Sequence, residues 1–593
     1  KKHINAHRDQ LLTTIRKTKP KVVLLIGNTP LTSITHKAGI AKKRGRPFEV
    51  DGTIYLPIQS PGILIHKENK RPEFEADVKL FADIIKTGKI PKEEGLNYVI
   101  VDSMRKFHEM LEDLVGTVSY DIETTGLYPW AGDAKVISIG FGTRTHQWCL
   151  PLNHPESAWP EEVHQDMMLE IDERMQDCIK IAHNGKFDSL YLKVHYGLDW
   201  KADFDTMLAH WILDENSTHG LKTLAQVYFG APNYDVELDH KAGAGPLDKH
   251  CEYLAHDVFY TRKLYLKFSK MLGQDTLVER VFDDLLMPCA RLFVDIEYHG
   301  VFVDTDRHEE AEVSLRNDLA VAKKKLLKWG DINWNSPKQI AKLFFEDLGI
   351  KVIDKTESGA PSTSESVLKR IDHPAAAALM DYRAADQLLK MFIEGWKPFL
   401  INGRLHPSFK LHGTVTGRPS CEHPNLQQVP RLSLIRSLIT APSNWVLIEI
   451  DLSQIEMRIA AELSGDQTLL NLFETGQDVH WMTALREIGR GGDKTAISVK
   501  VIETVFRHTQ KKYQFGEAIK MLLAMGPERA AELDNDWKEL RKKAKAVNFG
   551  YLFGMWWKKF KDYARDNYGV IVTDKQAQES RKMFFQLYPG LES

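Results

Sequence analysis

In the stretch SYDIETTGL, Asp121 and Glu123 stand two residues apart in a run whose apolar neighbours predict a strand. Successive strand side chains point to opposite faces, so the two carboxylates share one face while Tyr120 and Ile122 turn to the other. HNGKFDSLYL offers a third acid, Asp188. HCEYLAHDVFYTRKLYLKF (250–268) predicts a helix with Tyr253 and Asp257 at i and i+4 on one side. Asp121, Glu123, Asp188 and Asp257 are thus candidate metal ligands, with Tyr253 beside them as a catalytic phenol. Two divalent cations held this way activate water and stabilise the departing oxygen when a phosphodiester is cleaved. Any one of these acids alone reads better as a surface acid or a helix cap; the joint pattern carries the chemistry.

A second constellation lies in LRKKAKAVNFGYLFGM (540–555), where Arg541, Lys545, Phe549 and Phe553 follow one another at i+4 steps on a predicted helix. Two cations followed by two rings suit the phosphates and then the base of a nucleoside triphosphate. A basic amphipathic helix with its apolar end in a core gives the same stripe. Gly550 and Gly554 weaken the helix at that end, which suits a moving element. Upstream, Asp451 in EIDLSQIEMR follows the apolar run WVLI, and a buried strand is expected there. In TVTGRPSCEHPNLQQVP (414–430), Arg418, Asn425, Gln427 and Gln428 are polar groups on a loop. Such groups reach the minor-groove acceptors that every paired base step presents.

The elements that must position these residues are legible in outline. A chain of 593 residues has room for about four domains. Residues 1–97 alternate short strands with helices, and a second α/β unit opens at VGTVSYDIE (115–123). Residues 276 to 400 are mostly helical, with the basic run KKKLLK (323–328) suited to tracking phosphates or to a solvated face. Hairpin-like alternation follows in 403–420, and beyond 466 the chain is helical and rich in Lys, Arg and aromatics. A net charge of −2 advertises no global field for nucleic acid, although acidic metal sites cancel basic grooves. The five cysteines (149, 178, 251, 289, 421) form no C-x-x-C pair, which argues against a disulfide framework and for a reducing compartment. VVLLIG (22–27) is too short for a signal-peptide core, and no window approaches a membrane span. A soluble, intracellular protein is expected, although the chain starts KKHINAH, without Met.

The motifs DIETTG, HNGKFD and YLAHD, in that order, resemble those of the DEDDy 3′–5′ exonucleases, and FDTMLAHWILDENSTHGLKTLA (204–225) resembles the segment between their second and third motifs. The helix at 540–555 resembles the nucleotide-binding fingers helix of DNA polymerase family A, RxxxKxxxFGxxYG. EIDLSQIEMRIAAELSGD resembles that family's first palm motif, and TVTGRPSCEHPNLQQVP its TGRLSSxxPNLQNIP. The similarity runs from about 101 to 593. It implies an α/β and α+β multidomain fold, an RNase H-like exonuclease domain (98–275) followed by a right-hand polymerase. Its thumb would span 276–402, the first part of the palm 403–470 and the fingers 471–593.

The resemblance also implies roles. Asp451 would bind both catalytic metals, Mg²⁺ or Mn²⁺, with Leu452 and Gln454 nearby. Glu456 would fill the space of a 2′-hydroxyl. Arg541, Lys545 and His480 would hold the triphosphate, and Phe549 and Phe553 the base end. Thr416, Arg418, Asn425, Gln427 and Gln428 would contact primer–template DNA. Leu452 and Phe553 stand where the family usually has Tyr. Phe549 lacks the hydroxyl some members carry, so poor use of dideoxynucleotides is expected. The family's second palm acid lies in an HDE turn, and none follows FFQLYPGLES here; Asp466 and Asp478 are candidates only by elimination. The expectation is a C-terminal palm missing from this polypeptide, carried by a second chain, lost as an intein-split half, or trimmed.

PKVVLLIGNTPLTSITHKAGIAKKRGRPFEVDGTIYLPIQSPGILI resembles the C-terminal half of the uracil-DNA glycosylase superfamily, with Gln59 where His is expected. A non-catalytic remnant over 1–97 is implied, with Lys42, Lys43, Arg44 and Arg46 for phosphates. The combination suggests a bacteriophage replicase working in the host cytoplasm, with dNTPs, primer–template DNA and replication accessory factors as partners. GRGGDKT (489–495) lacks a Gly before its Lys, so a fingers loop outweighs a P-loop. Three functions stand side by side: proofreading polymerase, exonuclease subunit that binds primer–template without synthesis, and repair glycosylase on a degenerate polymerase body.

Overall fold

A computed structural model describes residues 2–91, 96–231, 234, 245–488, 494–511 and 515–592. Gly489–Asp493 of the P-loop-like stretch lie outside the described residues. The chain forms two compact units, one of residues 1–328 and 381–446, the other of 329–380 and 447–593.

The first unit opens with a three-stranded sheet, β1 (Val22–Ile26), β2 (Phe48–Val50) and β3 (Thr53–Ile58), in the order β1-β3-β2. The helix Arg71–Thr87 follows it. Arg44, expected to face phosphates, is instead buried: its Nε donates to Asp77 Oδ2 at 2.9 Å, and Glu73 Oε2 lies 3.5 Å away. A guanidinium committed to two carboxylates in a core is not offered to DNA. The side chain of Lys42 lies outside the described residues.

Six strands form the second sheet: β4 (Tyr98–Ile100), β5 (Thr117–Thr124), β6 (Val136–Gly142), β7 (Gln147–Pro151), β8 (Ile179–Ala182) and β9 (Phe204–Asp205), in the order β4-β7-β6-β5-β8-β9. β5, β6 and β7 are an antiparallel meander, and β8 and β9 add parallel to β5. This is the RNase H-like arrangement expected from the sequence. The helix Leu247–Leu272 packs on it so closely that strand positions 140 and 142 admit no side chain. A Cβ on Gly140 would lie 2.7 Å from Leu254 Cγ, and one on Gly142 would lie 2.8 Å from the carbonyl oxygen of Val258. Ser119 Oγ donates to that same carbonyl at 2.7 Å and pins the helix to β5. A short antiparallel pair, Ser408–Lys410 with Ser420–Glu422, supplies the expected hairpin.

The second unit is largely helical. Helices Ile455–Ser464, Val479–Ile488, Asp536–Leu552, Trp557–Tyr568 and Asp574–Leu587 surround a core that includes Met457, Val547, Tyr551, Phe560 and Phe584. Two expectations are corrected here. A Cβ on Gly550 would stand 2.8 Å from the Phe560 ring, so this glycine serves close helix packing rather than a loosened helix end. And residues 445–451 belong to no strand: Trp445, Ile448 and Ile450 are 75%, 78% and 86% exposed. A strand is made by the backbone groups of its neighbours, and among the described residues none pairs with this run.

Candidate functional site

β5 places Asp121 opposite Gly140 and Glu123 opposite Ser138, both carboxylates on the face over which the helix Leu247–Leu272 runs. That helix delivers Asp257, and carboxylate oxygens of Asp121, Glu123 and Asp257 lie within 4.8 Å of one another. Asp188, in the first turn of the helix Gly185–Tyr196, is buried beside them and accepts the backbone N–H of Ile122 at 3.1 Å. Three of the four acids expected from the sequence therefore share one cluster, and Asp188 is anchored to the same strand beside it.

Crowded acids out of water resist ionisation. Burial, then the charges of Asp188, Asp257 and Glu123, hold the Asp121 carboxyl well above its usual range. Burial, then Asp257, pushes Glu123 up to about 8. Asp188 rises to about 8, chiefly by burial and against the hydrogen bond from Ile122. Such a site favours cations strongly, and the donor set, carboxylate oxygens alone, suits hard divalent ions. Tyr253 lies beside Asp257, and burial followed by that charge holds its phenol far above the ordinary value, so it remains a hydroxyl.

Two residues of this site escaped the sequence reading. Lys222 Nζ lies 2.7 Å from Asp257 Oδ2 and 4.5 Å above the Tyr253 ring. Tyr234 donates to Asp257 Oδ1 at 2.8 Å. Nothing in LKTLA beyond the charge itself marks Lys222.

In the second unit the stripe helix ends at Leu552, so Arg541, Lys545 and Phe549 ride on it while Phe553 caps it, 62% exposed. Gly554 adopts a left-handed φ of +69° and turns the chain away. Lys545 Nζ stands 5.8 Å from the Phe549 ring centre, and His480 packs on that ring at 5.4 Å. Burial lowers His480 to about 4 against the charge of Asp478, so the ring is neutral near pH 7. Asn548 Oδ1 accepts from Thr483, so its Nδ2 faces His480 Nδ1 as donor at 2.8 Å. The His480 proton then sits on Nε2, free to donate outward. Arg541 spans Asp478 Oδ2 with two N–H groups, at 2.5 and 3.2 Å.

Both regions that carry these residues match known families. Residues 98–273 match the 3′–5′ exonuclease family and residues 305–521 match DNA polymerase family A. The DNA polymerase of Escherichia phage T5 is 30% identical over 497 residues, 76% of this chain and 57% of that protein. Residues 98–273 are thus similar to 3′–5′ exonucleases and residues 305–521 to family A DNA polymerases. The DNA polymerase of Bacillus phage SP01 is 24% identical over 86% of this chain and 66% of that protein, and DNA polymerase I of Pseudomonas aeruginosa 26% over 84% and 52%. The chain thus spans about half to two thirds of the length of these relatives. The fold resembles that of the POL domain of Pol1 from M. smegmatis, solved with DNA primer-template and dNTP. The TM-score is 0.62 at 20% identity, over 84% of this chain and 77% of that one. No helix among the described residues is long and apolar enough to cross a membrane.

The remaining residues singled out from the sequence are placed as follows. Asp451 and Leu452 are exposed in the irregular run, and Asp451 makes no hydrogen bond or ion pair among the described residues. Gln454 takes a left-handed φ of +55° just before the helix that carries Glu456. Asp466 caps the helix Gln467–Glu474 and accepts the Gly590 N–H at 2.8 Å. Asp478 caps the next helix through Trp481 N–H besides holding Arg541. Neither of these acids is spare for a metal. On the loop, Thr416, Arg418, Gln427 and Gln428 are exposed. The Gln427 amide donates to the Pro419 carbonyl at 2.9 Å, and Asn425 Oδ1 accepts the Gln427 N–H.

Proposed function

We propose that this chain is a DNA-directed DNA polymerase with a 3′–5′ proofreading exonuclease, acting on primer–template DNA with dNTPs and Mg²⁺, Mn²⁺ being a substitute. Its parts are an exonuclease over 98–275, thumb over 276–402, palm over 403–470 and fingers over 471–593. The observation that carries the nuclease half is the meeting of Asp121, Glu123 and Asp257 within 4.8 Å, with Asp188 beside them. The bound ions would activate water and stabilise the leaving 3′ oxygen. Asp121, Glu123, Asp188 and Asp257 would hold those ions. Tyr253, kept protonated by its surroundings, positions the attacking water by hydrogen bonding and does not act as base.

In the synthetic half, Arg541 would exchange Asp478 for the triphosphate, Lys545 and His480 Nε2 would add donors to it, and Phe549 would pack against sugar and base. Glu456 would exclude a 2′-hydroxyl. Thr416, Arg418, Asn425, Gln427 and Gln428 would follow the minor groove, and Asp451 would contribute one acid of the metal pair. Phosphoryl transfer by two metals about 3.5–4 Å apart needs a further carboxylate. On this reading that acid would reach Asp451 on a segment or second chain that pairs with residues 445–451. A second reading, a nuclease that binds primer–template without synthesis of its own, is favoured by Asp451 standing exposed while the nuclease acids are assembled.

A 5′-labelled primer on a longer template, Mg²⁺ and this chain, with and without dNTPs, tests both. Shortening that disappears in Asp121→Ala supports the nuclease, and lengthening with dNTPs supports synthesis by these residues alone. No shortening under any condition refutes the nuclease assignment. The glycosylase reading of residues 1–97 predicts alkali-labile strand breaks at uracil in the same preparation.

A further inference from the structure

The nuclease acids are linked to residues 1–97 through one short helix. The helix Leu221–Phe229 presents Lys222 to Asp257 at 2.7 Å. One turn further along the same helix Gln226 Nε2 donates to Asp77 Oδ1 at 2.8 Å, and Thr223 Oγ1, next to Lys222, lies 3.3 Å from Glu73 Oε1. Thr218, just before the helix, reaches the same Glu73 oxygen at 3.4 Å. Glu73 and Asp77 are buried and are themselves fixed by Arg44. The fit is close: a Cβ on Gly45, next to Arg44, would lie 2.9 Å from Asp77 Oδ1, and Gly45 has the left-handed φ of +69° that glycine takes freely.

We propose that Lys222 is a positioning residue of the nuclease, an internal cation that balances the acid cluster before metal binds, and that residues 1–97 brace the helix that sets it. The inference rests on the nuclease assignment above. It gives the N-terminal unit work that needs no glycosylase chemistry and no DNA contact. Lys222 stands where a metal ion held by Asp257 must bring its own positive charge. Like charges a few ångströms apart in a partly buried site repel by an amount worth about tenfold or more in affinity. Removing the lysine charge therefore tightens cation binding while loosening the geometry of the empty site. Loosening the brace does the same to a smaller degree, because Lys222 is then no longer held on Asp257.

The test uses the full chain and Mn²⁺ alone, with free Mn²⁺ read by electron paramagnetic resonance and amide exchange followed over 218–229. Lys222→Met is expected to bind Mn²⁺ about tenfold more tightly than wild type. The double variant Thr223→Val, Gln226→Leu removes the brace contacts and leaves Arg44, Glu73 and Asp77 in place. It is expected to exchange its 221–229 amides faster and to move Mn²⁺ affinity in the same direction. Unchanged or weaker binding in Lys222→Met overturns the role of the lysine. Unchanged exchange and affinity in the double variant overturn the brace. A wild-type chain that neither binds Mn²⁺ nor shortens DNA removes the underlying nuclease assignment instead.

Discussion

Gly142→Ala tests how the acid cluster is built, because the obstruction it creates falls on the residue after a metal-ligand candidate. The added methyl would stand 2.8 Å from the Val258 carbonyl oxygen and 3.1 Å from its carbon, and would overlap Ser119 Oγ. Ordinary contact begins near 3.4 Å, so the helix Leu247–Leu272 must back away by about 0.6 Å or β6 must bend. The hydroxyl of Ser119 cannot yield without giving up its bond to Val258, the tie between helix and sheet. Overfilling a packed site costs about 1–3 kcal/mol. The stability loss is expected at that size in urea unfolding of the first unit. The catalytic loss follows from the next atom along the chain: Asp257 precedes Val258 and is carried with it. A misplacement of 1 Å at a reacting centre costs about a hundredfold, so 0.6 Å costs about tenfold in kcat.

The assay is shortening of a 5′-labelled single strand with saturating Mg²⁺, with Gly132→Ala as the matched control, since nothing lies within 4 Å of a Cβ there. The variant is expected to lose about tenfold in rate and to bind Mg²⁺ more weakly, with the control unchanged. A Gly142→Ala enzyme as fast and as stable as the control would mean that the helix is not held by this contact, and the explanation of how Asp257 is placed would fall.

Three further outcomes follow from the same geometry. In metal-free protein Glu123 and Asp188 keep protons up to about 8. Unfolded they ionise above roughly 4 to 4.5. The unfolded chain therefore binds fewer protons in that window, and stability in EDTA should fall as pH rises from about 4.5 to 8, by up to roughly 1.4 kcal/mol per pH unit per group. Mg²⁺ should remove the fall, and a flat EDTA curve would contradict the burial of these acids. Arg44→Met strands Asp77 in a core, while Glu73 keeps Lys70 at 2.6 Å. A loss of about 3–5 kcal/mol is expected at pH 8. The loss is smaller at pH 5, where Asp77, whose carboxyl burial already raises to about 6 despite Arg44, accepts a proton. Phe549, packed between His480 and Lys545, carries no hydroxyl to meet a sugar lacking its own. If synthesis is reconstituted, Phe549→Tyr should narrow the preference for dNTPs over dideoxynucleotides, and an unchanged ratio in competing incorporation would count against Phe549 at the sugar.

What the sequence disclosed and what it withheld divide along one physical line. Asp121 and Glu123 were readable as a pair because strand alternation is local, and Tyr253 with Asp257 because helical spacing is local. Each motif sits on one element, and the elements then needed only to be brought together. Lys222 was not readable because its importance lies in a neighbour 35 positions away, and nothing in LKTLA marks it. Arg44 was misjudged for the same reason: a basic cluster looks like a phosphate site until Asp77, 33 residues later, is seen to claim it. Phe553 shows a finer limit, since the i+4 stripe continued past the residue at which Gly554 ended the helix.

The run before Asp451 is the sharpest instance. WVLIEI has the apolar, β-branched composition of a buried strand. Burial and pairing are nonetheless properties of what surrounds a segment, and Ile450 is 86% exposed here. An apolar edge of that length invites another backbone. Among the described residues the backbone around 445–451 is unpaired, and under the proposed synthetic role Asp451 would need a second acid beside it. One added strand carrying a carboxylate would answer both, whereas a free acid supplied by any other surface would answer only the second. Covering of Trp445 therefore separates them: its fluorescence should shift to the blue when whatever completes Asp451 binds, and synthesis restored without that shift would mean the acid arrives by another route.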